Sequence, residues 1–149
     1  MKGECFFLSG SLLFFFYVYL SMPKKPSRKT LTRKLDKIFS AYIRQRDADK
    51  KGYCTCCTCG KKLPITQIHC GHFMSRRHLA TRWDEENCAA QCAGCNTFNQ
   101  GEQYKFGVFL DKKYGDGKAQ ELLEKSRNTM KYSIADLQEL FEYFKKKIV

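Results

Sequence analysis

The chain has 149 residues, which is enough for one globular domain and excludes two independent hydrophobic cores. Its 27 lysines and arginines exceed its 15 aspartates and glutamates, and the formal net charge of +12 makes DNA or RNA the natural partner of its surface. Nine cysteines form an odd set, and eight of them lie between Cys54 and Cys95, which disfavours a disulfide framework and therefore secretion.

An uncharged hydrophobic stretch, FFLSGSLLFFFYVYL, occupies residues 6–20. It is shorter than the ~20 apolar residues of a typical membrane-spanning helix, and no clear cleavage site follows it. A membrane anchor and a signal peptide are two interpretations of this leader, residues 1–21. We favour a third, in which translation starts at Met22, because MPKKPSRKTLTRKLDKIFS is an ordinary basic N-terminus. A cytoplasmic protein without a membrane partner is the corresponding expectation.

Positive charge is concentrated ahead of the cysteine-rich region. Residues 22–50 contain ten basic and three acidic side chains, which gives +7 of the total charge. Residues 22–29 are rich in proline and lysine, a composition that predicts a disordered basic arm. We expect residues 30–149 to form a single domain.

An amphipathic helix of about four turns is predicted from Thr30, because apolar residues recur there at helical spacing. Its apolar face would cover a core, and its basic face, which includes Lys34 and Lys37, is suited to lie along a phosphate backbone. The apolar positions are Leu31, Leu35, Ile38, Phe39, Tyr42 and Ile43.

Two Cys-x-x-Cys pairs predict a structural zinc site within residues 52–101. Cys92 and Cys95 form the second pair without ambiguity. The sequence CTCCTCG allows two registers for the first pair. We favour Cys56 and Cys59, because the glycine directly after them permits the tight turn of a zinc knuckle.

Four of the eight clustered cysteines are left over by this assignment. The alternative first pair consists of Cys54 and Cys57, and the other two are Cys70 and Cys88. We expect all four to be small buried apolar side chains. A second metal, or a ligand set shared with the first, is the alternative.

Residues 102–149 are predicted to be helical. Apolar residues precede a break at residues 114–117, and Leu122 and Leu123 mark a second, short helix. A third helix is predicted after Ser133, which forms a capping-box variant with Asp136. Its apolar stripe is suited to the core or, alternatively, to a homodimer seam. The stripe consists of Ile134, Leu137, Leu140, Phe141, Phe144 and Ile148.

The segment between the two knuckles carries side chains that phosphodiester hydrolysis requires. The reaction needs a base to activate water and a cation to stabilise the developing charge. A neutral imidazole is a base near pH 7, and an asparagine carbonyl can bind a hard divalent ion. The segment offers His72, His78 and Asn87 with three arginines suited to phosphate, Arg76, Arg77 and Arg82, and Asn96 follows the second knuckle.

The order Cys-x-x-Cys, Gly-His, Glu-Asn, Cys-x-x-Cys-Asn resembles the zinc-containing His-Asn-His (HNH) nucleases with a ββα-metal core, including the phage resolvase endonuclease VII. More closely, KLDKIFSAYIRQRDADKKGYCTCCTCGKKL, CGHFMSRRHLATRWDEENC and QCAGCN resemble the phage NinG (Rap) recombination proteins over residues 34–115. The resemblance implies an α+β fold, in which a zinc-stapled ββα-metal core is flanked by a basic N-terminal helix and C-terminal helices. It also implies a structure-specific endonuclease that cuts branched DNA, such as Holliday junctions and D-loops.

The resemblance also implies roles for individual residues. His72 matches the general base, Asn87 the asparagine that pins the base-orienting loop, and Asn96 the ligand of a catalytic Mg²⁺ or Mn²⁺ ion. Gly71 departs from the family pattern, because HNH nucleases have an acidic ion ligand there. We expect a nearby residue to replace that ligand, with His78 or Asp84 favoured over Glu85 and Glu86.

Two further expectations follow. Cutting both strands of a junction needs two active sites, so a homodimer is expected from the function. The missing acid at Gly71 leaves open a zinc-dependent DNA-binding recombination accessory protein without catalysis.

Overall fold

A computed structural model describes residues 26–148, in which four α-helices and two small antiparallel sheets form an α+β fold. The predicted α+β class is confirmed. The hydrophobic leader, residues 1–21, and the first part of the predicted arm lie outside the described residues. In chain order the elements are α1 (Arg28–Arg46), β1 (Tyr53–Thr55), β2 (Lys62–Pro64), β3 (Ile68–His72), β4 (Cys88–Cys92), a π-helical turn (Gly94–Phe98), α2 (Gln103–Tyr114), α3 (Lys118–Ser126) and α4 (Ile134–Lys147).

Helix α1 begins two residues before the predicted start, at Arg28. The Ser27 side chain caps it by accepting a hydrogen bond from the Thr30 amide, which satisfies one of the otherwise unpaired N–H groups of the first turn. The last two residues of the predicted arm therefore belong to the helix. Its apolar face is buried as predicted, through Leu31, Leu35, Phe39 and Ile43.

The β3–β4 hairpin lies between two groups of helices. Its register places Ile68 opposite Cys92 and His72 opposite Cys88. Successive side chains of a strand point to opposite faces, and all five residues of β4 are buried. Cys88 packs in one apolar cluster with α1 and α4, whereas Ala89 packs in another with α2 and α3.

Helix α4 packs against α1, and this contact uses the predicted C-terminal stripe as core. Leu137 and Phe144 are buried, and the ring of Phe144 meets that of Phe39 edge to face at 4.9 Å. The predicted capping box of Ser133 and Asp136 is present, with both of its hydrogen bonds formed. Ile134, at the start of the stripe, is exposed. The homodimer remains a prediction.

Trp83 belongs to the core, where it packs with α1 and α4. Its indole N–H donates to Asp36, which satisfies the one polar atom of the ring. Across residues 26–148, none of the helices combines the length and the apolar character needed to cross a membrane.

Candidate functional site

Four cysteine sulfurs converge at the end of the β3–β4 hairpin. The Sγ atoms of Cys56, Cys59, Cys92 and Cys95 all lie within 4.8 Å of one another, and those of Cys59 and Cys92 are 3.8 Å apart. Tetrahedral zinc with Zn–S bonds near 2.3 Å requires sulfurs about 3.8 Å apart. The residues therefore fit a structural zinc ion, and the cluster is the one that the sequence predicts.

Backbone geometry supports this choice of knuckle. Gly60, which follows Cys59, adopts a φ of +74° that favours glycine, and its amide bonds to the Cys56 carbonyl. Burial raises the pKa of the Cys56 thiol, but hydrogen bonds from the Cys92 amide and the Thr58 hydroxyl outweigh burial and lower it to about 6. A thiol that deprotonates easily is suited to bind a cation.

The two cysteines of the alternative knuckle lie outside this cluster. Cys54 is fully buried, and its thiol donates to the carbonyl of Arg44. Cys57 packs beside the cluster of α2 and α3, and burial raises its pKa. Cys54 is therefore the small buried side chain that was predicted, whereas Cys57 is only half-buried.

A polar cavity of about 340 Å³ opens between α1, β3 and the second zinc knuckle. Three predicted site residues line it, His72, Arg76 and Asn96. The remaining lining residues come mainly from α1 and β3: Asp36, Phe39, Ser40, Arg44, Thr66, Ile68, His69 and Cys70.

His72, at the end of β3, is neutral and fixed in one orientation. Its Nε2 lies 3.1 Å from the carbonyl oxygen of Arg82, and because a carbonyl only accepts, Nε2 carries the hydrogen. The lone pair is therefore on Nδ1. Burial lowers the pKa of His72 to about 4, against an ordinary 6.5. The imidazole is thus available as a proton acceptor at neutral pH.

Asn87 holds the loop that supplies this carbonyl. Its side chain is completely buried. Oδ1 accepts from the Met74 amide at 2.7 Å, and Nδ2 donates to the carbonyls of Met74 and Thr81, both at 2.9 Å. One amide thus ties both ends of residues 74–81, directly before Arg82. The Asn87 side chain therefore holds this loop in place.

Asn96 lies in the cavity beside a histidine to which the sequence analysis gave no role. Its Nδ2 is 3.2 Å from Nδ1 of His69. With the amide nitrogen turned to His69, the carbonyl oxygen of Asn96 keeps its lone pairs for another partner. His69 is exposed on β3 and lines the same cavity.

Gly71 packs against a side chain of the neighbouring strand. A Cβ at this position would lie 2.4 Å from Oε1 and 2.9 Å from Cβ of Gln91. The Gln91 side chain is fully buried, and its amide donates to the Gly101 carbonyl at 2.7 Å. Any side chain at Gly71 therefore forces Gln91 to shift, so an acidic residue there would be destabilising.

The proposed substitutes for this acid do not reach the cavity. His78 directs Nδ1 to the carbonyl of Ser126, 3.2 Å away. Asp84 pairs with Lys125, Glu85 with Lys147 and Glu86 with Lys118. The carboxylate that does line the cavity is Asp36, on α1.

The predicted DNA-binding side chains fall into two groups. Arg82 is engaged internally, since it makes two hydrogen bonds to Asp36, at 2.6 and 3.0 Å. Arg77, Lys34 and Lys37 are exposed, and so is Arg76 at the cavity rim.

The sequence analysis gave no role to Asp36 and His69, which both line the cavity. Asp36 and Arg44 are two helical turns apart on α1, and the helical spacing could have shown that they share a face. Nothing in the sequence shows that this face meets β3.

The fold and the cysteine cluster define a small α+β protein with the ligands of a structural zinc centre. A model of the NinG family, described as the bacteriophage lambda NinG protein, matches residues 22–149. The chain therefore belongs to the NinG family of phage recombination-related proteins. A search of curated proteins and a search of solved structures return no match.

Proposed function

We propose that this protein is a metal-dependent, structure-specific endonuclease that cuts branched DNA during phage recombination. The observation that carries the proposal is the neutral, fixed imidazole of His72 in a polar cavity that Asn96 also lines, with Asn87 holding the loop that leads to Arg82. In this proposal the β3–β4 hairpin and the segment after it correspond to the ββα-metal core of HNH nucleases.

His72 acts as the general base in this proposal. Nδ1 takes a proton from the attacking water, while Nε2–H stays bonded to Arg82 and holds the ring in place. Because the cavity buries the imidazole, its proton affinity is low in the free protein. An anionic phosphate in the cavity would raise this affinity and favour the charged imidazolium.

A hard divalent ion would find few oxygen ligands on the protein. Asn96 offers a carbonyl oxygen, and Asp36 offers a carboxylate whose oxygens already accept from Arg82. Magnesium commonly keeps several waters and binds substrate phosphates with only one or two protein ligands. The donor set fits such a weakly held ion, which would stabilise negative charge on the phosphate. His69 would then position Asn96.

DNA binding is supported by cations in and near the cavity. Exposed Arg76 and half-buried Arg44 line it, and Lys34 and Lys37 lie exposed on α1. Contacts of such side chains with phosphates release counterions and add affinity without reading base sequence. The preference for branched DNA is carried over from the family resemblance.

The decisive experiment measures cutting by the full chain. A labelled four-way junction and a linear duplex of the same sequence are incubated with Mg²⁺, with Mn²⁺ or with no added divalent ion. We expect ion-dependent cutting of the junction and little cutting of the duplex. Tight junction binding without cutting under every condition would overturn the nuclease proposal.

The second candidate is a DNA-binding accessory protein without catalysis. The Gln91 side chain favours it, because it fills the space that an acidic ion ligand would occupy at Gly71. Such an accessory protein would need the zinc cluster and the basic residues, and its junction binding would not change in His72→Ala. Binding without cutting would support this candidate.

A further inference from the structure

A second group of metal-binding side chains lies on the α1 side of the β3–β4 hairpin. Ligand atoms of Cys70, His72 and Cys88 all lie within 4.8 Å of one another. The strand register creates the group, since His72 is directly opposite Cys88 and Cys70 is two residues from His72 on the same strand face. The arrangement is therefore built into the hairpin.

Two thiolates and one imidazole are the ligands of a zinc site with an open fourth position. The ligand atoms are within about 1 Å of the spacing that tetrahedral zinc imposes, so small side-chain shifts complete the set. A divalent ion with two thiolates is also electrically neutral, which suits the buried position of Cys88. Cys70 and His72 line the polar cavity, which gives an ion a path of entry.

We propose that Cys70, His72 and Cys88 form a second metal site, selective for zinc and similar thiophilic ions, and that an ion bound there blocks His72 as a base. Nε2 of His72 donates to Arg82, so the ion takes the lone pair of Nδ1. Magnesium prefers oxygen ligands and is excluded by the two sulfurs. The inhibitory effect rests on the proposed nuclease function, whereas the binding does not.

The test counts zinc ions. The full chain and its variants Cys70→Ser and Cys88→Ala are reduced, dialysed against buffered free zinc and analysed for bound zinc per chain. Cys54→Ala is the matched control, because Cys54 is as fully buried as Cys88 but lies in neither group. We expect two zinc ions for the wild type and the control, and one for each of the other variants. Circular dichroism verifies the fold, and Cys70→Ser, at a half-buried position, carries the test if Cys88→Ala does not fold.

Cobalt provides an independent readout. Replacement of zinc by Co²⁺ gives a sulfur-to-cobalt absorption for each site, and we expect Cys70→Ser to lose part of this absorption while Cys54→Ala keeps all of it. One zinc ion in the wild type, or two in Cys70→Ser and Cys88→Ala, would overturn the second site.

The inhibitory effect is measured as a ratio within each protein. Junction cutting with Mg²⁺ is compared before and after the second equivalent of zinc. Since a general base contributes about 10²-fold or more, we expect cutting by the wild type and Cys54→Ala to fall by about 10²-fold. The ratio for Cys70→Ser should stay near one. A second zinc ion that leaves wild-type cutting unchanged would overturn the inhibition. If no protein cuts the junction, the zinc count still decides the site.

Discussion

His72 donates Nε2–H to the carbonyl oxygen of Arg82 over 3.1 Å, although ten residues separate them in the chain. The hydrogen bond fixes both the tautomer and the direction of the ring. The loop that carries this carbonyl is held in turn by the buried amide of Asn87. The orientation of His72 at the end of β3 therefore depends on the carbonyl of Arg82, and the position of that carbonyl depends on Asn87.

The burial of His72 predicts a loss of stability in acid. The unfolded imidazole takes up a proton near pH 6.5, whereas the folded one does so only near pH 4. Between these values the unfolded state binds more protons, so the free energy of unfolding falls as the pH falls. The loss from His72 between pH 7 and pH 5 is about 2 kcal/mol. Urea titrations of the wild type and His72→Gln at both pH values measure it. An equal loss in both proteins would contradict the burial of a neutral His72.

Removal of the Asn87 side chain should weaken both stability and catalysis. Asn87→Ala breaks three hydrogen bonds and leaves backbone groups of half-buried Met74 and buried Thr81 without these partners. We expect a loss of about 3 kcal/mol in the free energy of unfolding. The exposed Asn128 provides the control, and Asn128→Ala should change it by less than about 0.5 kcal/mol.

The cutting rate shows whether Asn87 positions His72 or only stabilises the fold. At a temperature where Asn87→Ala is fully folded, junction binding should persist while the cutting rate falls, because the Arg82 carbonyl no longer directs His72. Unchanged cutting by the folded variant would show that Asn87 serves the fold alone.

Substitutions of Gly71 should destabilise the protein without creating an ion site. In Gly71→Ala the new Cβ meets Oε1 and Cβ of Gln91 below normal contact distances, which costs about 2 kcal/mol. Gly71→Asp should be worse and should not increase cutting. Gly107→Ala is the matched control, because its Cβ would meet its nearest neighbours at 3.5 Å, an ordinary contact. Thermal unfolding distinguishes the two, and equal melting temperatures would contradict the packing of Gln91 against Gly71.

Cys59 offers a clean test of the structural zinc centre. It is the exposed member of the four-cysteine cluster, so replacement by serine removes little packing. Cys59→Ser should nevertheless lower the free energy of unfolding by several kcal/mol and lose the zinc ion of this cluster, since metal binding contributes directly to folding. Cys57→Ser, outside the cluster, should keep that ion. Full zinc retention by Cys59→Ser would contradict the assignment.

Replacement of Arg82 and replacement of Arg76 by alanine should have different effects. Arg82→Ala leaves the carboxylate of Asp36 without its ion pair, and we expect about 2 kcal/mol of lost stability with little change in the salt dependence of DNA binding. Arg76→Ala should leave stability unchanged and lower the slope of log Kd against log salt by about 1. Salt titrations of junction binding measure the slope. The reverse pattern would show that Arg82 rather than Arg76 contacts phosphate.

The local sequence signals predicted most of the elements. The spacing of apolar residues located α1 and the C-terminal helices, and the Ser133–Asp136 pair located the start of α4, because these features depend on neighbours within one or two turns. The glycine after Cys59 selected the correct register of the first knuckle for the same reason.

The composition of the cavity could not be predicted, because it depends on contacts between distant segments. Asp36 lies on α1 and His69 on β3, and only the packing of α1 on the hairpin brings them together. The same packing explains why Arg82 is paired with Asp36. For Gly71, the decisive neighbour is Gln91 on the adjacent strand, and no pattern within either strand shows that contact.

The most direct test of the central claim is the single-turnover rate at which the protein cuts a saturating four-way junction, compared between His72→Ala and His78→Ala. Both variants remove one histidine, but only His72 lines the cavity. We predict that His72→Ala cuts at least about 10²-fold more slowly than the wild type while it binds the junction equally well, and that His78→Ala keeps most of the rate. A cutting rate of His72→Ala equal to that of the wild type, or a loss of cutting only in His78→Ala, would contradict the role of His72.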